Sequence, residues 1–159
     1  MSMPWTYRHS EKEFKSFLKD AKDRMGPVLE SDKMAYTVVD GVLHVFRRRL
    51  TPPQVIAFGD VLPSSLRAML VYGWNVDAVP LPFGSRSEMI REAKELRQTR
   101  NIMPLNIMPL NVIEATGYAL WRHVDHRDLA RVLAQIGPEA VAFWHVPGVA
   151  ENELQQQII

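Results

Sequence analysis

The sequence predicts an all-α fold: two tandem four-helix units, related by internal duplication and sharing one core. Three observations carry this expectation. Apolar residues recur three and four positions apart along much of the chain, the period of a helix face. Ser or Thr followed three residues on by Glu or Gln precedes several of these runs and marks helix starts. The order of caps, apolar faces and proline breaks in the first half then returns in the second. No run alternates apolar and polar residues for long enough to predict a strand.

Taken in order, Ser10 and Glu13 read as a capping box before a stripe of Phe14, Phe17, Leu18, Ala21 and Met25. Gly26 and Pro27 stop that helix. A second helix is expected over 31–50, with Val38, Val39, Val42, Val45, Phe46 and Leu50 on a broad apolar face. Gly41 within it is expected to allow close packing. Thr51 and Gln54 form the next capping box, with Pro52 at the first helical position, and Val55, Phe58 and Leu62 follow. Pro63, Ser64 and Ser65 break and restart the chain. Leu66, Met69 and Leu70 then predict a short helix ending near Gly73. Residues 74–84, with Trp74 and Phe83, read as an ordered connector whose aromatics dock on the core.

The pattern then repeats. Ser85 and Glu88 stand 75 residues after Ser10 and Glu13, and Met89, Ala93 and Leu96 follow as an apolar stripe. At a separation of 74, Val39 matches Ile113, Phe46 matches Leu120 and Leu50 matches Val124. Asp125 and Asp128 replace Thr51 and Gln54, while Leu129, Val132 and Ile136 replace Val55, Phe58 and Leu62. Phe143 and Trp144 replace Met69 and Leu70. One domain is therefore expected, with units 10–73 and 85–147 and a tail at 148–159. A tighter repeat, Asn101 to Leu110, holds two copies of Asn-Ile-Met-Pro-Leu and reads as a loop that tolerates length change.

Composition narrows the function classes. Apolar residues make up 47% and charged residues 23%, a globular balance that excludes a disordered chain. Nineteen basic residues nearly cancel eighteen acidic ones, so no global field draws the protein to nucleic acid. There is no cysteine, which removes disulfide, thiol and iron–sulfur chemistry. Residues Met1 to Trp5 lack the apolar centre of a signal peptide, and no run reaches the roughly 20 apolar residues of a membrane span. A cytoplasmic protein that does not enter a membrane is expected.

The chemistry-bearing candidates are few. His123, Asp125, His126 and Asp128 make the densest cluster. Imidazole and carboxylate can ligate a metal, but Asp125 sits where a helix cap is needed, so no metal site is assigned. Arg47, Arg48 and Arg49 end the second helix, and Arg122, Arg127 and Arg131 occupy the corresponding region later. Cations are favoured at helix C-termini, and only a continuous stripe of them would suggest phosphate recognition. His44 reads as a hydrogen-bonded boundary residue and His145 as structural, and Ser64 and Ser65 cap a helix start with no nearby histidine to make a nucleophile–base pair. The glycine-rich phosphate loops, G-x-S-x-G and H-E-x-x-H are absent. No catalytic residue and no cofactor is assigned. The binding candidates are His123, His126, Arg47, Arg48 and Arg122.

The segment from Leu50 to Val55, the run from Leu62 to Arg67, and Tyr72, Gly73 and Trp74 resemble the recurring segment of a bacterial family. It is catalogued as domain of unknown function 2267. The resemblance covers most of residues 6–147. It implies an all-helical fold and a bacterial cytoplasmic protein, and it brings no activity or catalytic residue. The doubled Asn-Ile-Met-Pro-Leu segment departs from the family pattern. The expected function is a non-enzymatic helical module that binds a protein partner or itself. The alternatives are a pocket between the two units near His123 and His126, serving a small-molecule binder or enzyme, and nucleic-acid binding through an arginine stripe.

Overall fold

A computed structural model describes residues 5–26, 32–99, 111–149 and 154 of the chain. Among these all regular structure is helical: α1 (Trp5–Arg8), α2 (Ser10–Met25), α3 (Asp32–Arg47), α4 (Pro52–Asp60), α5 (Ser64–Val71), α6 (Arg86–Thr99), α7 (Val112–Trp121), α8 (His126–Ile136) and α9 (Pro138–Trp144). The doubled segment 101–110, and the tail apart from 148, 149 and 154, lie outside the described residues. None of the described helices is long and apolar enough to cross a membrane.

Helix starts follow local chemistry at three of the four expected caps. Thr51 and Gln54 form the capping box before α4, with the Thr51 N–H donating to Gln54 Oε1 at 2.8 Å. At α6 the reciprocal pair is complete: Ser85 N–H donates to Glu88 Oε2 at 3.3 Å and Glu88 N–H to Ser85 Oγ at 3.2 Å. Asp125 caps α8 by accepting the Asp128 N–H at 3.1 Å.

The fourth expectation, a box at Ser10 and Glu13, is corrected. Helix α1 runs almost directly into α2, so Ser10 is already helical and its Oγ donates to Tyr7 O at 3.2 Å. The backbone of His9 accepts the Glu13 N–H instead, at 2.9 Å. A second correction concerns the end of α3, which stops at Arg47 and not at Leu50. Arg49 and Leu50 bond back to Phe46 and Arg47, three residues earlier, and this tighter turn closes the helix.

Helix α3 is the centre of the molecule. Every residue from Thr37 to Phe46 is buried. The packing around it is crossed: α2 packs most extensively on α7 and α3 on α6, while α3 also meets α7 and α4 meets α8. Between these pairs lies an aromatic cluster. The Phe46 ring sits 4.8 Å from Phe58, 4.9 Å from Phe143 and 5.3 Å from Trp144, so α3, α4 and α9 meet at one point. Edge-on and tilted ring pairs of this kind add to the stabilisation that burial alone gives. Phe83 from the connector joins them, 6.1 Å from Phe46, and Trp74 packs on the same core. Both connector aromatics thus dock as their sequence context predicts.

Candidate functional site

The basic residues after α3 and α7 are held across the crossed helix pairs. At the α2–α7 junction, Asp20 of α2 accepts from Arg122 Nε at 3.1 Å and from His123 Nε2 at 3.0 Å. The His123 side chain is 1% exposed, and its ring stands edge-on to Phe17, 5.9 Å away. Arg122 also reaches the Tyr118 hydroxyl at 3.1 Å, and the guanidiniums of Arg24 and Arg122 lie 5.0 and 5.5 Å from the centre of the Tyr118 ring. Burial works to raise the Asp20 carboxyl. The hydrogen bond from His123 and the charge of Arg122 outweigh it and hold the group below the usual carboxylate value. Glu13, whose cap role is lost, is pushed up by burial, and the charge of His123 offsets part of this.

The α3–α6 junction uses the same parts. Glu92 of α6 takes a two-pronged contact from Arg49, with Nη2–Oε1 at 3.0 Å, and a further contact from Arg48 Nη1 at 3.2 Å. Arg49 is buried, whereas the Arg48 side chain keeps 41% of its exposure. Arg47 turns the other way and donates from Nη1 to Leu70 O at 2.8 Å and Tyr72 O at 2.9 Å. It thereby satisfies carbonyls at the end of α5, a service a guanidinium performs well with its fixed fork of donors.

The five candidate residues therefore do not form one site. Arg47 and Arg48 line a cleft of about 300 Å³ with His44, Leu50, Trp74 and Leu96. His126 donates to Trp121 O at 2.6 Å and lines a separate cleft of about 370 Å³ with Trp121, His145 and Val146. Arg122 and His123 belong to neither. Among the described residues, no group of three or more His, Asp or Glu is placed to hold a metal ion.

A family of proteins described as uncharacterized conserved protein (DUF2267) matches residues 14–143, most of the chain. The chain belongs to this family. No curated protein matches it. The DUF2267 description names no activity, in keeping with the resemblance carried by residues 50–74.

Sequence reasoning missed Asp20 and Glu92, the two carboxylates that organise this DUF2267 fold. Their signal was present. Each lies three residues after a buried stripe residue and one before a buried alanine: Phe17, Asp20, Ala21 and Met89, Glu92, Ala93. A carboxylate so flanked on a helix face points at the neighbouring helix and needs a cation there. Also missed was the run from Val71 to Leu81. Five large apolar side chains in it stand open to solvent, among them Tyr72 at 68% and Val79 at 83% exposure.

Proposed function

We propose that the chain is a non-enzymatic helical interaction module, a single domain of two tandem four-helix units over 10–73 and 85–147. The interaction reading is carried by the open apolar run of Val71, Tyr72, Val76, Val79 and Leu81 at the end of α5 and along the connector. Scattered apolar residues on a surface need no explanation, but a concentrated patch marks a place where another surface docks. The aromatic Tyr72 suits the centre of such an interface.

Duplication with a shared core is supported by paired details. Asp20 and Glu92 are 72 residues apart, as are the buried pairs Phe17 and Met89, Leu18 and Ile90, and Ala21 and Ala93. Their partners, Arg122 with His123 and Arg48 with Arg49, are 74 apart. Arg47 Nη1 to Leu70 O and Trp121 Nε1 to Trp144 O are equivalent bonds, both 2.8 Å long. Gly73 and Gly148, at φ 64° and 71°, each turn the chain after the last helix of a unit. This favours a 72-residue register for the first helices over the 75 residues between Ser10 and Ser85. Each unit gives its first helix to the other's second helix, so neither half can close its own core.

The interaction reading is tested by affinity capture from the native host, quantified by mass spectrometry, with light scattering on the purified chain. The natural chain is compared with Tyr72→Asp/Val79→Asp. Both side chains are exposed, so the thermal midpoint should hold. A specific protein, or a second copy, should bind the natural chain and be lost from the variant. Equal binding by the variant, or a chain that captures nothing and stays monomeric, would overturn the reading.

A further inference from the structure

We propose that the cleft between the end of α3 and the connector binds a small monocarboxylate with an apolar body, the arylacetate class. The cleft, about 300 Å³, lies at the small end of ligand-binding pockets. Its walls divide by chemistry. Leu50, Leu96 and Trp74 offer an apolar surface, and Arg47 and Arg48 offer cations. His44 forms the floor, its Nε2 turned to Met69 O at 2.9 Å and to Asp40 at 3.3 Å.

Charge selects the ligand. Arg49 already grips both oxygens of Glu92, a geometry that pairs one guanidinium with one carboxylate. Arg48 adds a third contact to the same carboxylate, so two guanidiniums share one negative charge. A carboxylate entering the cleft would match the second cation. A phosphate dianion would set two charges close to Glu92 and meet repulsion. The other cation, Arg47, is held by the Leu70 and Tyr72 carbonyls.

The test is a titration followed by backbone amide NMR, with phenylacetate, the neutral 2-phenylethanol and inorganic phosphate as probes. The chains compared are the natural one, Arg48→Gln and Ala78→Trp. Ala78 lines the cleft from the exposed connector, so an indole there fills the space without removing a charge. For so small a ligand the expected Kd is on the order of 1 mM. Phenylacetate should give saturable shifts over 73–78, with 2-phenylethanol and phosphate giving none. Binding should weaken roughly tenfold or more in Arg48→Gln and vanish in Ala78→Trp. No saturable shift, equal shifts with the alcohol, tighter binding of phosphate, or survival in Ala78→Trp would each overturn the proposal. Because the readout is confined to the cleft, its failure leaves the capture experiment on Tyr72 and Val79 untouched.

Discussion

The α2–α7 and α3–α6 junctions solve one problem with different chemistry. In both, a consecutive basic pair just past the end of a helix grips a carboxylate on the helix packed alongside. At α3–α6 the buried member of the pair is Arg49, whose charge is permanent. At α2–α7 it is His123, an imidazole. The first junction cannot relieve the loss of its carboxylate. The second buries an imidazole, which needs only an acceptor for its ring N–H. The other basic residue of each pair also differs in setting, since Arg48 faces a cleft whereas the less exposed Arg122 lies against Tyr118.

Separating the partners should have the largest effect. A fragment ending at Gly84 keeps Asp20 without Arg122 and His123, and Arg49 without Glu92. It also loses Phe143 and Trp144 from the aromatic cluster. Circular dichroism and light scattering should find it molten or self-associated, with no cooperative thermal transition. A stable, cooperative monomer would show that the first half is an independent domain.

Next in size is Phe46→Ala, which hollows the cluster between the junctions and should cost about 3–5 kcal/mol in urea unfolding. Because Phe46 touches α4 and α9, both junctions should loosen together in amide exchange.

The two carboxylates sharpen the contrast directly. Glu92→Gln strands the buried Arg49 and should cost about 3 kcal/mol. Asp20→Asn should cost less, about 1–2 kcal/mol, because the amide oxygen still accepts from the imidazole N–H. Equal costs would remove the distinction between arginine and histidine. The Asp20 effect also has a pH signature. Its folded carboxyl lies below the ordinary value of about 4, so its contribution is full above that value. It is lost as pH falls through the lowered one. The gap between the natural chain and Asp20→Asn should therefore be widest near neutrality and close in strong acid. Glu13 has the opposite sign: its raised carboxyl costs stability as pH rises through its ordinary value and up to the raised one. It is common to both chains and drops out of the difference.

The smallest effects are at the caps that follow each junction. Thr51→Ala and Asp125→Ala should each cost about 0.5–2 kcal/mol by thermal unfolding. Metal analysis of Asp125→Ala should match that of the natural chain. A stoichiometric metal lost from the variant would make Asp125 a ligand and not a cap.

The features encoded in neighbouring residues are local ones. The helical period, the caps at Thr51, Ser85 and Asp125 and the stop at Gly26 depend on neighbours within a few residues, and all were legible. The box at Ser10 misled because the same spacing serves a cap or a mid-helix turn, and only the helix before it decides which. The tertiary structure alone decided that α2 crosses to α7 and α3 to α6. It also joined Asp20 to His123 and Glu92 to Arg49, pairs separated by 103 and 43 residues. Those pairings depend on which apolar faces cover each other, and many faces of similar hydrophobicity could do so. Burial is non-directional, so it draws the helices together without choosing among them. The buried charges help to choose, because an arginine or aspartate left without its partner in the interior is costly in every other arrangement.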